Sequence, residues 1–418
     1  MAQISDKRAV LVSIAERSSD LDECNISLDE LERLLETAGG TSFAKIVQVK
    51  ESFDPRTCIG KGKVAEIREL CKNNEISLVI FDFELTPAQI RNLEGDIGDV
   101  TVIDRSMLIL DIFALHAASG EGKLQVELAQ LKYTAPRLTG RGVELSRQGG
   151  GIGSRGPGES KLETDRRHLK ERIVTLERRL DELEHNRAVM RTQRDKSGIV
   201  KIALVGYTNA GKSTLLNALT GADVLCADKL FATLDPTTRK TELPSGRSVL
   251  FTDTVGFIRN LPHHLVKAFK STLDEVRYAD ILLLVSDAND KEALSQIKIT
   301  EELINELGAA DKTRIYVYNK IDMKEGATVG IVGDMSVAVS AYRGDGIDDL
   351  ISLISEVADK TSRAKRILVP YGEESVLNAI YRTYGVLDTE YTDDGTAVTA
   401  ILDEKGLGQF SKYILGDA

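Results

Sequence analysis

Hydrophobic positions in the first hundred residues follow two alternating patterns. Four short, almost continuous apolar runs occur, at residues 9–15, 44–49, 78–83 and 100–103. Runs of this length predict strands that are buried on both faces of a sheet. Between them lie segments of helical spacing, one opened by the capping-box pair Ser27 and Glu30 and another by Thr86 before Pro87. This alternation predicts an N-terminal α/β subdomain at 1–103 with a parallel or mixed sheet.

From residue 104 to residue 197 the apolar pattern becomes helical. In its second half an apolar residue recurs every seven positions, at Leu162, Leu169, Leu176, Leu183 and Met190. Two apolar seams joined by a loop predict an antiparallel helical hairpin, a short coiled coil, rather than one long helix surrounded by solvent.

The loop of this hairpin, at 139–158, contains eight glycines and too little apolar surface to fold by itself. Residues 137–196 hold fifteen Lys or Arg and ten Asp or Glu, a net charge of +5 in a chain of net charge −11. Two interpretations remain open from these residues alone. The loop is either a flexible, basic tip that contacts RNA phosphates or a disordered tether between domains.

Bulk composition limits the class of protein. The chain has 418 residues, a length typical of three or four domains, and 363–418 is predicted to form a small C-terminal α/β domain. The acidic total argues against a general nucleic-acid coat protein, so we expect no DNA partner. Four scattered cysteines are typical of a reducing interior. With a charged N-terminal segment and no apolar run of about 18 residues, we expect a cytoplasmic monomer without a membrane span.

Residues 198–362 alternate strands and helices again and contain a phosphate-binding loop in its required context of strand, loop and helix. The predicted loop and the start of its helix comprise Gly206, Tyr207, Thr208, Asn209, Ala210, Gly211, Lys212, Ser213 and Thr214. Glycines let backbone N–H groups surround a phosphate, Lys212 can reach the β and γ oxygens, and Ser213 can ligate Mg²⁺. Asn209 has two open interpretations, a ligand of K⁺ beside the phosphates or a residue that stabilises the turn.

A second strand, at 249–251, runs into the predicted contacts Asp253, Thr254, Val255 and Gly256. Asp253 is predicted to hold the Mg²⁺ coordination shell, and the Gly256 N–H to meet the γ-phosphate. Phe257 follows, at a position where many small GTPases place a glutamine that orients the attacking water. Because an apolar ring cannot hydrogen-bond water, we expect slow turnover without an activating partner.

The segment between these two motifs supplies the candidate switch residues, which are Phe231, Ala232, Thr233, Leu234 and Asp235. Thr233 is the best candidate for a threonine that closes on Mg²⁺ only when GTP is present. Thr237 and Thr238 stay open as alternatives because spacing does not decide among the three. Lys212, Thr233 and Gly256 are therefore the candidate catalytic residues.

The purine end of the site is predicted from two strand ends. The strand at 315–318 leads into Asn319, Lys320, Ile321 and Asp322, and the strand at 336–339 leads into Ser340, Ala341 and Tyr342. The Asp322 carboxylate can accept hydrogen bonds from guanine N1–H and its exocyclic amine, whereas adenine would leave it unpaired. Four ordered motifs with consistent strand context therefore predict binding of GTP and GDP.

At these motifs the chain resembles the HflX family of ribosome-associated GTPases. The segments that carry the resemblance are 59–63, 104–105, 149–159, 206–213, 231–239 and 251–262. The resemblance covers nearly the whole chain and is weakest beyond residue 365. The Gly-rich loop and the Asp253–Phe257 stretch are its most specific parts.

The resemblance implies an N-terminal α/β subdomain, a helical hairpin, a central GTPase domain and a small C-terminal domain. It also implies binding to the large (50S) ribosomal subunit and its rRNA through 137–196, where the GTP-bound state promotes separation of stalled or idle ribosomes. In the family, the residue at Thr233 is the Mg²⁺-linked switch threonine. Two alternatives remain, a GTPase that acts in ribosome assembly and a GTP-regulated scaffold whose hairpin binds proteins.

Overall fold

The computed structural model describes residues 4–138, 157–195, 199–222, 230–262, 265, 270–323, 335–360, 363–402 and 404–417. The chain folds as two compact units. The first comprises Met1–Leu183, Lys229–Leu234 and Arg259–Lys270, and the second comprises Glu184–Asp228, Asp235–Ile258 and Ser271–Ala418. Nearly all of the predicted Gly-rich loop, residues 139–156, lies outside the described residues.

The first unit begins with a four-stranded parallel sheet of order β2-β1-β3-β4. Its strands are β1 Arg8–Ala15, β2 Thr41–Val49, β3 Leu78–Phe81 and β4 Thr101–Asp104. The connecting helices are α1 Leu21–Thr37, α2 Lys61–Asn73 and α3 Pro87–Ile97. The predicted parallel α/β arrangement is therefore confirmed.

One of the two predicted helix starts is right and the other is wrong. The Thr86 hydroxyl accepts from the Gln89 N–H, so Thr86 caps α3 ahead of Pro87 as predicted. In contrast, α1 already begins at Leu21, and Ser27 is buried inside it. The Ser27 hydroxyl instead accepts a hydrogen bond from the buried Arg105 guanidinium (3.2 Å), a long-range contact that a local capping pattern cannot reveal.

Three helices follow β4 in the chain, namely α4 Arg105–His116, α5 Gly120–Leu138 and α6 Pro157–Asp195, and the last of them belongs to the first unit as far as Leu183. The Arg172 guanidinium on α6 binds the Glu127 carboxylate on α5 with two bonds of 2.7 and 2.8 Å. Lys132 and Glu177 form a second link of 2.8 Å. Leu176, at the centre of the predicted heptad seam, is fully buried, and the helical character of this region is confirmed.

The second unit is built around a six-stranded sheet of order β10-β9-β8-β5-β7-β6. Its strands are β5 Val200–Gly206, β6 Thr237–Glu242, β7 Ser248–Asp253, β8 Ile281–Asp287, β9 Thr313–Asn319 and β10 Ser336–Ala338. Only β6 pairs in the antiparallel sense. The helices are α7 Lys212–Thr220, α8 Lys270–Tyr278, α9 Ala293–Glu306 and α10 Ile347–Lys360. The parallel strands end at one sheet edge, which is where ligands bind in α/β folds.

The chain ends in a small domain with the order β-α-β-β-α-β. Its elements are β11 Arg363–Pro370, α11 Glu374–Thr383, β12 Val386–Thr392, β13 Gly395–Leu402, α12 Glu404–Gln409 and β14 Ile414–Asp417. The four strands form an antiparallel sheet of order β12-β13-β11-β14. In the part of the chain that the structure describes, no helix is long and apolar enough to cross a membrane.

Candidate nucleotide-binding site

The phosphate-binding loop connects β5 to α7 and requires glycine where its backbone turns. Gly211 precedes α7 with φ of +88°, a conformation that side chains disfavour. A Cβ atom at Gly211 would lie 2.3 Å from the Asn319 amide nitrogen. The loop can therefore pack against Asn319 only because residue 211 lacks a side chain, and the helix that follows has its N-terminus at this loop, the end of a helix that favours an anion.

Lys212 is buried beneath this loop. Its ammonium donates to the carbonyls of Tyr207 (2.8 Å) and Gly206 (3.2 Å). Burial lowers the pKa of Lys212 to about 8, against the opposing attraction of the Asp253 carboxylate. A buried ammonium next to open backbone N–H groups is suited to bind a polyphosphate, whose charge would stabilise the protonated lysine.

Ser213 and Asp253 lie side by side, although 40 residues separate them. The Ser213 hydroxyl donates to the Asp253 carboxylate at 2.6 Å, and Asp253 is fully buried at the end of β7. A hydroxyl and a carboxylate are hard oxygen donors of the kind that Mg²⁺ prefers. The residues present therefore fit a Mg²⁺ ion beside the phosphates.

The Asp253–Gly256 segment packs directly onto the phosphate-binding loop. The Phe257 N–H donates to the Gly206 carbonyl (3.0 Å), and the Thr208 N–H donates to the Phe257 carbonyl (2.8 Å). A Cβ atom at Gly256 would lie 2.8 Å from Thr208 Cα and 3.0 Å from the Lys212 ammonium. Only glycine allows this approach, so the Gly256 N–H lies close to Lys212.

The predicted purine end meets the phosphate-binding loop through Asn319 and Lys320. The Asn319 amide donates to the Ala210 carbonyl (3.0 Å) and accepts from the Ala341 N–H (3.0 Å). The Lys320 ammonium donates to the Asn209 carbonyl (2.8 Å). The two ends of the predicted site are therefore joined by direct hydrogen bonds.

Asp322 is held next to the loop that follows β10. The Ser340 hydroxyl donates to its carboxylate at 2.6 Å, which holds the pKa of Asp322 below its ordinary value. The carboxylate therefore stays ionised and acts as an acceptor near neutral pH. Ala341 is buried beside it, whereas the Tyr342 side chain is 86% exposed, so a role for Tyr342 rests on its backbone.

Three sequence families match consecutive parts of the chain. They are described as GTP-binding GTPase N-terminal (residues 25–114), GTP-binding GTPase Middle Region (116–194) and 50S ribosome-binding GTPase (201–320). A GTPase HflX of Lacrimispora saccharolytica is 47% identical over 398 residues, covering 94% of this chain and 93% of that protein. The chain belongs to the HflX family of GTPases.

A second HflX GTPase agrees with this placement. The GTPase HflX of Escherichia coli is 42% identical and covers 93% of this chain and 92% of its own length. Among solved structures, a Sulfolobus solfataricus GTP-binding protein in complex with GDP is 26% identical and covers 85% of this chain and 99% of its own, with a TM-score of 0.43. Membership of the HflX family confirms the resemblance inferred from the motifs.

The candidate switch residues divide between the two units in this HflX family member. Residues 231–234 belong to the first unit, whereas Asp235 belongs to the second. The Phe231 ring is buried and contacts Phe113 of α4 edge to face, with ring centroids 4.8 Å apart. Thr238 lies in β6 and its hydroxyl bonds Thr252 (3.0 Å). Thr233 precedes the strand, in the segment that belongs to the first unit.

Sequence reasoning missed Asp287 and Asn289, which hold Lys320 in place. The Asp287 carboxylate lies 3.0 Å from the Lys320 ammonium, and the Asn289 amide donates to the Lys320 carbonyl at 2.7 Å. Lys320 has φ of +66°, so these bonds stabilise an unfavourable backbone conformation. Asp287 ends β8, which lies between β5 and β9 in the sheet. Its position at the end of a buried strand was the feature of the sequence that could have identified it as a site residue.

We expect nucleotide binding to take up a proton near pH 8. Above pH 8 the free Lys212 side chain becomes neutral, and a bound diphosphate would restore its charge by raising its pKa. GDP affinity should therefore fall as the pH rises through 8. Calorimetric titration with GDP at pH 8 in two buffers of different ionisation enthalpy measures the uptake, and equal binding heats in both buffers would contradict it.

Replacing Asp287 with asparagine should weaken GTP and GDP binding equally, by about threefold to fivefold, because Lys320 loses its charged partner. The preference for GTP over ITP should not change, because Lys320 does not contact the exocyclic amine in this account. Fluorescent-nucleotide titration measures both quantities. The exposed Asp311→Asn variant of the same unit is the matched control, and unchanged affinity in Asp287→Asn would show that the ion pair does not position Lys320.

Proposed function

We propose that this protein is a Mg²⁺-dependent GTPase that binds the large ribosomal subunit. In this proposal, GTP binding and hydrolysis are coupled to ribosome dissociation or to the rescue of stalled ribosomes. The observation that carries the nucleotide assignment is the direct linkage of Asn319 and Lys320 to the phosphate-binding loop. The match of residues 201–320 to a family described as 50S ribosome-binding GTPase supports the ribosomal partner.

The described side chains suggest how each part of GTP is held. Lys212 and the N-terminus of α7 bind the β- and γ-phosphates, and the Gly256 N–H donates to the γ-phosphate. Ser213 would ligate Mg²⁺ and Asp253 would hold the coordination shell of the ion, which would neutralise charge on the phosphate oxygens. Thr233 would join the metal only in the GTP state. Asp322 selects guanine, and the Ser340 hydroxyl keeps its carboxylate oriented.

Hydrolysis should be slow without a partner. The Phe257 side chain is apolar and only 1% exposed, so it cannot orient the attacking water by a hydrogen bond. The role of an activating group must therefore be filled from outside the chain or by a cation. We propose K⁺ as this cation, bound near Asn209, whose φ is +61°. If Asn209 only stabilises the turn, K⁺ should have no effect on the GTPase rate.

The hairpin region 137–196 is the proposed contact with rRNA. In its described part, Arg172 is already paired with Glu127, so that arginine is poorly placed to bind phosphate. Arg141, Arg147 and Arg155 lie in the Gly-rich loop, outside the described residues. These three loop arginines are therefore the positions at which the proposed RNA contact is tested first.

We expect isolated 50S subunits to raise the GTPase rate severalfold or more, and K⁺ to raise it above the rate in Na⁺. Alanine at Arg141, Arg147 and Arg155 together should weaken 50S binding and reduce the slope of log affinity against log salt by about 2. The matched control replaces three exposed arginines of the first unit, Arg33, Arg68 and Arg91. Steady-state phosphate release and sedimentation at several salt concentrations are the measurements.

The outcomes separate the candidate functions. Equal 50S binding by the loop variant and its control would favour a GTP-regulated scaffold that uses the hairpin to bind proteins. Preference for assembly precursors over intact 70S ribosomes would favour a role in ribosome assembly. A GTPase rate that does not respond to any ribosomal particle would contradict partner activation.

A further inference from the structure

Thr208, the third residue of the phosphate-binding loop, has a buried hydroxyl that the protein does not use. Thr208 is 6% exposed, and its Oγ1 makes no hydrogen bond to any described residue. A buried hydroxyl without a partner costs folding free energy, and such groups in native proteins call for a ligand, an ion or a water. The hydroxyl therefore has one hydrogen bond available for something that enters the site.

The neighbours of Thr208 show in which part of the site this residue lies. If Gly256 carried a Cβ atom, that atom would lie 2.8 Å from both Cα and Cγ2 of Thr208. It would lie 3.0 Å from the Lys212 ammonium. Thr208 and Lys212 therefore flank Gly256, whose N–H meets the γ-phosphate in the proposed function. The backbone bond from Thr208 to the Phe257 carbonyl (2.8 Å) fixes this arrangement.

Three other hydroxyls of the site, those of Ser213, Thr254 and Ser340, each donate a hydrogen bond within the protein. The apolar Phe257 side chain offers the terminal phosphate no polar group. Of the four hydroxyls compared, that of Thr208 is the one with no hydrogen bond to a described residue, so it is available to the terminal phosphate.

We propose that the Thr208 hydroxyl donates a hydrogen bond to an oxygen of the γ-phosphoryl group of GTP. This inference rests on the proposed function and adds a substrate contact to it. In hydrolysis a water oxygen bonds to the γ-phosphorus while the bond from that phosphorus to the β–γ bridging oxygen breaks. The bridging electron pair stays with GDP, and both protons of the water leave with inorganic phosphate as H₂PO₄⁻. A donor on the γ-oxygens stabilises their charge throughout this transfer and finds no equivalent acceptor in GDP.

Valine and serine at position 208 separate the hydroxyl from the shape of the side chain. Thr208→Val keeps the volume and removes the hydroxyl, and Thr208→Ser removes the methyl group and keeps the hydroxyl. We expect Thr208→Val to lose about fivefold to tenfold in the affinity for a non-hydrolysable GTP analogue relative to GDP, in single-turnover rate, or in both. Thr208→Ser should keep the wild-type preference for the analogue over GDP.

The measurements are equilibrium titrations of the full chain with Mg²⁺, the GTP analogue and GDP, single-turnover GTP hydrolysis, and thermal unfolding of each variant as a folding check. A Thr208→Val variant with the wild-type analogue-to-GDP ratio and the wild-type rate would overturn the contact, and so would equal losses in the valine and serine variants. Failure of the wild-type chain to bind either nucleotide would instead overturn the proposed function itself.

Discussion

The site depends on the two hydrogen bonds made by the side-chain amide of Asn319. It bonds Ala210 in the phosphate-binding loop and Ala341 in the loop after β10, so a single side chain sets the separation between a phosphate end and a purine end. Gly211 makes room for that amide, and Asp287 and Asn289 keep the adjacent Lys320 in its left-handed conformation. In the proposed function, base specificity and phosphate binding therefore depend on one hydrogen-bonded assembly at the sheet edge.

Much of this assembly was predictable because its parts follow buried parallel strands. Apolar runs located β5 and β9 closely, and the loops after them had to meet at one edge. For the small last domain only its α/β class was predicted, and strand β12 in particular carries Asp388 and Glu390 and has no apolar run that would indicate a strand. The start of α1 was missed for a different reason, since Ser27 serves a buried arginine from a distant part of the chain.

The sequence could not indicate how the switch residues would be distributed. Phe231 and Leu234 are buried and fold with the first unit, and the Phe231 ring packs on Phe113. In the proposed function Thr233 responds to GTP. Its neighbours Phe231 and Leu234 are buried and belong to the first unit, which also contains α4.

The central claim is that a carboxylate at 322, fixed to the phosphate-binding loop through Asn319, selects the base. Its most direct test is the affinity of wild-type protein and Asp322→Asn for GTP and XTP, with the exposed Asp348→Asn as the matched control. The account predicts that Asp322→Asn loses GTP affinity by about tenfold or more and gains XTP affinity, because the xanthine C2 oxygen is an acceptor. An Asp322→Asn protein that still prefers GTP to XTP as strongly as the wild type would contradict it.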